Sequence, residues 1–373
     1  MLRFLTAGET HGPCLVAILE GMPSNLKIDI ENINKMLSRR QGGYGRGGRM
    51  QIEKDTAKIL SGVRGGVTLG SPIAMLIENK DYKNWEAIMS PEFGSSDTKS
   101  VTMPRPGHAD LTGALKYDHS DIRNVLERAS ARETAIRVAV GAVAKELLSC
   151  FGIKVFGFVR SIGEACDKTS YEVEGFEERT LLSPVGMYSL DAQEDAIAQI
   201  DAAKASGESL GGVVEVVVSG VVPGLGSYVH YDRKLDGMLA GALMSVQAIK
   251  AVEFGADFES AKTVGSKVHD PIAYKGEEGY MRKSNNAGGI EGGMSNGEDI
   301  VLRAAMKPIP TLYSPLESVD VNTKEACLAT VERSDICAVP ACSVVCEAVV
   351  CFEIAKALLD KFGADSMSDI FQN

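Results

Sequence analysis

The feature that most constrains this chain is the run from Asp121 to Leu147. Ile122, Val125, Leu126, Ala129, Ile136, Val140, Val143 and Leu147 keep the spacing of a helix with one apolar face. Arg128 and Arg132 stand four apart within it and are predicted to share a face, one turn from each other. Neighbouring guanidiniums repel unless carboxylates answer them or an anion lies between. Glu127 and Glu133 supply the first answer, and the pair is then an ordinary solvated face. Ala129, Ser130 and Ala131 leave room for a flat or bulky ligand against the backbone. That supplies the second answer, an anion- and cofactor-binding wall.

The rest of the chain narrows the choice. Its 373 residues suffice for one large or two ordinary domains, and no clear linker or short repeat divides them. A hydrophobic share of 45 % and a charged share of 24 % are those of a soluble globular protein. No segment long enough to span a bilayer lacks charge, and the apolar part of Met1–Glu9 is too short for a secretory signal. The eight cysteines form no CxxC pair. Cys337, Cys342, Cys346 and Cys351 cluster at spacings that suit no common zinc site, so they read as reduced small hydrophobes of a cytoplasmic protein. A net charge of −11 argues against general nucleic-acid binding. Between Glu31 and Glu53, however, there is no acid, while Lys35, Arg39, Arg40, Arg46 and Arg49 all fall there. A small basic patch on an acidic protein points to a small anionic ligand.

Taken in order, residues 2–6 and 14–20 read as strands around the loop Gly8–Gly12, whose glycines expose His11. His11 is either a structural hydrogen-bonding residue or a general acid. A helix over 29–40 ends in Arg39 and Arg40, and five glycines in the nine residues 41–49 then carry Arg46 and Arg49. Such a loop is a mobile linker or a grip on phosphate or carboxylate. Strand-like runs follow at 58–63 and 72–78, then a polar loop at 90–100. His108 sits after Pro106-Gly107, beside Asp110 at a helix start, where anions are favoured. Asp118 or Ser120 is placed to cap the main helix. Further strands are expected at 153–164, 212–222, 247–255 and 300–306, and helices at 191–205, 234–247 and 342–362, the last closed by Gly363. The turn at Gly224 and Gly226 lacks the third glycine of a dinucleotide fingerprint. The glycine pairs in 285–297 suit either a planar ligand or a plain hairpin. Arg333 and Asp335 either pair with each other or both point into a site.

Together these pieces resemble chorismate synthase, along nearly the whole chain. The motifs that carry the likeness are Gly8-Glu-Thr-His-Gly12, Arg39-Arg-Gln-Gly-Gly-Tyr-Gly-Arg46, Arg105-Pro-Gly-His-Ala-Asp110, Arg128-Ala-Ser-Ala-Arg-Glu-Thr134, Asn286-Ala-Gly-Gly-Ile-Glu-Gly-Gly293 and Arg333-Ser-Asp-Ile-Cys-Ala-Val-Pro340. Each alone is modest, but in this order they are specific. Thr10 stands where the family often has Ser, which keeps the hydroxyl. Gly48 stands where many relatives carry another arginine.

The resemblance implies an α+β fold, a β-α-β sandwich with helices between two antiparallel four-stranded sheets, as one domain over 1–373 and usually a homotetramer. It implies a lyase that removes phosphate from 5-enolpyruvylshikimate 3-phosphate by anti 1,4-elimination, giving chorismate. Reduced FMN is required without net redox change. His11 would protonate the departing phosphate, His108 would serve the flavin at N1 and its carbonyl, and Asp335 would assist the proton at N5. Arg40 and Arg46 match positions associated with a pyridine nucleotide, so NADPH is the candidate reductant. Arg46, Arg132 and Arg333 would face substrate. Arg128, Ala129, Ser130, Gln247, Ala248, Gly292, Lys307, Pro308, Ile309, Pro310, Thr311 and Arg333 match the family's FMN contacts. The competing readings are an FMN-dependent oxidoreductase acting on a phosphorylated metabolite and a non-catalytic sensor of such metabolites.

Overall fold

The computed structural model describes residues 1–48, 52–92, 99–363 and 365–372. Arg49, and residues 93–98 of the expected polar loop, lie outside the described residues. Two antiparallel sheets enclose a layer of helices. The first runs β1-β2-β4-β3 and consists of β1 (Arg3–Ala7), β2 (Cys14–Glu20), β3 (Ala57–Ile59) and β4 (Ile73–Glu78). Its alternation points Leu15, Ala17, Leu19, Ile73, Met75 and Ile77 inward. The second runs β8-β9-β7-β5-β6 and consists of β5 (Lys154–Ile162), β6 (Ala165–Cys166), β7 (Gly212–Ser219), β8 (Ile249–Phe254) and β9 (Ile300–Met306). The two-residue β6 adds a fifth strand to the four expected. β7 and β9 pair in unbroken register from Val218↔Ile300 to Gly212↔Met306.

Between the sheets lie α1 (Ile30–Gln41), α4 (Thr134–Ser149) and α7 (Val339–Phe362). Helix α4 packs on the first sheet, α7 on the second, and the two pack most extensively on each other. Their closest approach is at Gly141, where an added Cβ would lie 2.3 Å from the Ala348 carbonyl oxygen. Helix α7 is apolar on nearly every face. It starts with Pro340 in its first turn and ends where the Gly363 amide donates to the Leu359 carbonyl. Its buried Glu347 accepts from Arg39 (2.9 and 3.1 Å), Lys145 (2.7 Å) and the Gly157 amide (3.0 Å).

The long helix expected from Asp121 to Leu147 is interrupted. Helix α2 (Asp110–Tyr117) is followed by α3 (Arg123–Ala129), then an extended Ser130 (ψ 145°), a 3-10 turn at Ala131–Glu133, and α4. The Ser130 hydroxyl accepts from the Arg132 amide at 3.2 Å. A serine that bonds its neighbouring backbone restarts a helix rather than continuing one. Arg128 and Arg132 therefore do not share a face. Nor does Asp118 or Ser120 cap α3. Asp118 closes α2 in the left-handed region (φ 55°), and Asp121 Oδ1 accepts from the Arg123 amide at 2.9 Å. Helices α5 (Leu190–Ser206) and α6 (Leu235–Met244) flank the second sheet. The glycine pairs at 288–293 have positive φ and form the hairpin 290–295, the plainer of the two readings.

Candidate active site

A cavity of about 430 Å³ opens at one end of the helical layer, within the range of small-molecule sites. Its walls come from the β1–β2 loop, the end of α1 with its glycine loop, residues 105–109, the α3–α4 break, residues 246–248 and 306–311, and the segment 332–345 that enters α7. The break that separates Arg128 from Arg132 is thus itself a wall, with Ala129, Ser130 and Ala131 facing the space.

Two histidines reach this cavity, each held from behind. The His11 ring is 9 % exposed, and its Nδ1 lies 2.8 Å from Glu127 Oε1. The His11 amide donates to Glu127 Oε2 at 2.8 Å, and the Thr10 amide and hydroxyl both donate to the Glu127 carbonyl at 2.9 Å. The ring stacks on Trp85 at 3.8 Å. Burial raises the Glu127 carboxyl, but His11 and then Arg123 outweigh it and hold the group below its usual range. His108 repeats the arrangement, with Nδ1 2.5 Å from Asp110 Oδ1. Asp110 also takes Arg105 Nε at 2.8 Å and Nη2 at 3.1 Å. There too burial is outweighed, by His108 and Arg105, and Asp110 stays well below the ordinary carboxylate range.

The cations are arranged in depth. Arg40 is buried, donating Nε to Thr134 Oγ1 and Nη2 to the Ala131 carbonyl, both at 2.9 Å. Burial pushes its guanidinium down to about 9; Asp55 pulls it back, and Arg46 and Arg132 push further down. Arg132 donates to Asn79 Oδ1 at 2.8 and 2.9 Å and to Asp55 Oδ2 at 2.7 Å. Arg46 pairs with Asp335 Oδ2 at 2.9 Å, while the Gly47 amide donates to Asp335 Oδ1 at 2.6 Å. Only glycine fits at position 47, because a Cβ there would meet the Ser334 carbonyl oxygen at 2.7 Å. Arg333 pairs with Asp81 at 2.9 Å rather than with Asp335, and both Arg333 and Asp335 line the cavity. At Gly48 an added Cβ would meet open space.

Most of the sequence-predicted residues converge here. His11, Arg40, Arg46, His108, Ala129, Ser130, Arg132, Gln247, Ala248, Lys307, Ile309, Pro310, Thr311, Arg333 and Asp335 all line the cavity. Arg128, Gly292 and Pro308 do not. Arg128 points the other way, donating to the Thr6 and Gly8 carbonyls at 3.0 Å and to Thr6 Oγ1 at 2.7 Å, and so braces the loop that carries His11. Gly292 is an exposed hairpin residue. Pro308 lies between two wall residues without lining the space. Sequence reasoning gave no role to Arg105 or Trp85, and read Glu127 only as a partner of Arg128 and Arg132. Arg105 stood in a quoted motif, and Trp85 is the chain's one tryptophan, but no spacing linked them to the histidines.

The comparisons decide the family. The chorismate synthase family model matches residues 2–359. The chain belongs to the chorismate synthase family. It is 58 % identical to a chorismate synthase from Geobacter sulfurreducens over 382 residues, covering 100 % of this chain and 97 % of that protein. It is 59 % identical to one from Alkaliphilus metalliredigens over 372 residues, covering 99 % and 97 %. A crystal structure of chorismate synthase superimposes with a TM-score of 0.81 at 46 % identity, covering 100 % of this chain and 95 % of that one. The α+β sandwich is therefore the chorismate synthase fold. Of the motifs that carried the resemblance, all but the segment 286–293 put residues on the one cavity.

The walls suit a flavin chemically. Leu126, Val246, Met306, Ile309 and Ala338 offer apolar surface to a planar ring. Gln247 Oε1 and Arg40 Nη1, buried polar atoms of lining residues, have no hydrogen-bond partner among the described residues. Among those residues Arg40 Nη1 has only the longer ion pair with Asp55 Oδ2 at 3.7 Å, and a buried acceptor or donor without a hydrogen bond is costly unless a ligand meets it. A ring N–H suits the first and an anionic oxygen the second. Among the described residues no cluster of side chains could hold a metal ion.

Proposed function

We propose that this chain converts 5-enolpyruvylshikimate 3-phosphate to chorismate by anti 1,4-elimination of phosphate, with reduced FMN bound and no net redox change. One observation carries the reading: two carboxylate-held histidines share a cavity with buried arginines and with unmet polar atoms that suit a flavin and an anion. Ala129, Ser130, Gln247, Ala248, Lys307, Ile309, Pro310, Thr311 and Arg333 would hold FMN. Arg128 braces the wall from behind, and Gly292 and Pro308 are not part of it. Arg40, Arg46, Arg132 and Arg333 surround a triply anionic substrate. Of these, Arg132 is already committed to Asn79 and Asp55, so its contribution is mainly field.

When bound, reduced FMN supplies electron density beside the substrate ring and a basic ring nitrogen. The chain supplies the proton handling. His11 donates a proton to the departing phosphate oxygen, a role worth roughly 10²–10⁴ in rate. His108 hydrogen-bonds the flavin edge. Asp335, held by Arg46 at 2.9 Å and by the Gly47 amide at 2.6 Å, would assist the proton at flavin N5. NADPH is the proposed reductant, meeting Arg40 and Arg46. The eight free thiols suit a reducing cytoplasm, and among the described residues no helix is long and apolar enough to cross a membrane. Leu5 (76 % exposed) and Ile18 (48 % exposed), on the outer face of the first sheet, support self-association, proposed here as a homotetramer.

The test is anaerobic mixing of protein, reduced FMN and substrate, following phosphate and chorismate. Both are expected in equal amounts with no reductant consumed per turnover. Reductant consumed in step with phosphate would instead identify an oxidoreductase. Repeating the assay with NADPH and oxidised FMN reads the reductase activity. His11→Ala and His108→Ala are expected to lose kcat by about 10² or more while still binding FMN; near-normal turnover in either would remove that residue from the mechanism.

A further inference from the structure

His11 is held by more than a single hydrogen bond. Glu127 meets the Thr10–His11 segment with both its main chain and its side chain. Its carbonyl accepts the Thr10 amide and hydroxyl, one carboxylate oxygen accepts the His11 amide, and the other lies 2.8 Å from His11 Nδ1. Arg123 Nη1 anchors that same oxygen at 3.2 Å and reaches Glu332 at 3.1 Å through Nη2. The imidazole face is covered by Trp85 at 3.8 Å and 17°. Beyond the indole, the Lys99 ammonium sits 3.6 Å from the ring centroid and the Arg123 guanidinium 5.0 Å. Glu127 is buried to 3 % exposure, so this carboxylate does not face solvent.

A solvated loop histidine needs none of this. A hydrogen bond from each backbone amide would secure the loop, and an apolar residue would fill the space under the ring. An ionised buried carboxylate against Nδ1 does something further: it selects the ring nitrogen that carries the structural proton. We infer that Glu127 is a positioning residue for the proposed proton donor, fixing the Nδ1–H form of His11 so that Nε2 exchanges its proton with the ligand in the cavity, while Trp85 fixes the plane of the ring. The inference rests on the proposed role of His11. A related arrangement holds His108, with Asp110 on Nδ1, although there Arg105 Nη2 also stands 3.1 Å from that nitrogen.

The charged groups packed around His11 are Glu127, Arg123 with Glu332 behind it, and Lys99 beyond Trp85. Arg46, Arg132 and Arg333 line the same cavity, Arg132 being joined to the His11 loop through Asn79. Removing the Glu127 charge takes away the carboxylate in contact with His11, while Glu332 stays behind Arg123. The imidazolium then becomes harder to form, and a proton donor is lost at lower pH.

The test uses the full chain with FMN. In Glu127→Gln, kcat is expected to fall by about 10² or more with KM and FMN affinity nearly unchanged. The pH at which kcat declines on the alkaline side is expected to move down. In protein labelled with ¹⁵N-histidine, the His11 signals, assigned by their loss in His11→Asn, are expected to change from the Nδ1–H to the Nε2–H pattern. An unchanged ¹⁵N pattern, or kcat within about threefold of the parent, overturns the inference. Should Glu127→Gln not fold, Glu127→Asp withdraws the same charge by one methylene. A kcat loss of about tenfold or more at constant KM supports positioning, and full activity overturns it. The ¹⁵N readout needs no turnover. A parent protein that releases no phosphate therefore defeats the proposed reaction, while the tautomer still decides what Glu127 does.

Discussion

Arg128 and Arg132 are identical side chains four positions apart, and their surroundings give them opposite roles. Arg132, with a side chain 3 % exposed, holds Asp55 and Asn79 together in the cavity wall. Arg128 lies on the surface and ties α3 to the main chain of Thr6 and Gly8. Arg132→Ala leaves Asp55 buried with, among the described residues, only Arg40, 3.7 Å away, to answer it. That substitution is expected to cost about 3–5 kcal/mol in urea unfolding. Arg128→Ala removes exposed hydrogen bonds and is expected to cost about 1 kcal/mol. Its larger effect should be on kcat, because the loop it braces carries His11. A loss of stability in Arg128→Ala as large as that in Arg132→Ala would contradict this division.

At the scale of elements, the decisive event is the break at Ser130. The apolar spacing either side of it is helical, and nothing in a helical pattern marks one serine as the point where the helix stops and restarts. The hydroxyl does so by accepting the Arg132 amide, and the Thr134 hydroxyl donates to the Ala131 carbonyl at 2.6 Å in the next turn. Ser130→Ala is expected to cost about 0.5–2 kcal/mol, as loss of an N-cap does, and to weaken the proposed FMN binding because the break is a wall of the cavity. Calorimetry and a flavin titration measure the two effects. The α4–α7 crossing is stricter. At Gly141 a methyl group would meet the Ala348 main chain, which cannot rotate away. Gly141→Ala should destabilise by about 1–3 kcal/mol or more, and an unchanged Tm would show that the helices can separate freely.

For the whole molecule, the helical layer is joined to the second sheet around one buried charge. Burial pushes the Glu347 carboxyl up, but Lys145 and Arg39 more than compensate and hold it below its usual range. Asp110 and Glu127 are lowered in the same way. A carboxylate whose folded pKa is depressed contributes stability that is complete above the unfolded value, near 4.3 for Glu. That contribution is lost as pH falls through the folded one. Tm should therefore be nearly flat from neutral pH down to about 5 and fall steeply below about 4. Glu347→Gln should lower Tm at pH 7, by the equivalent of about 3 kcal/mol, and show a smaller acid loss than the parent. An acid limb of unchanged size in that variant would assign the loss to other carboxylates.

The sequence by itself determined most element types and ends, but not the break at Ser130, and through the family's motifs it named most of the residues that meet in the cavity, with Arg128, Gly292 and Pro308 wrongly included and Arg105 missed. Periodicity, turn glycines and local motif chemistry are written along the chain. The strand Ile300–Met306 and the Gly363 cap were legible for that reason. Tertiary structure alone decided which neighbour each charge took. Arg333 left Asp335 for Asp81, Glu127 took His11 and Arg123 rather than Arg128 or Arg132, and the glycine pairs near Gly292 became a hairpin away from the cavity. Partner choice follows from which groups are buried together after the sheets close on the helices. A buried charge takes whichever opposite charge lies within reach there, however far away it is in the chain.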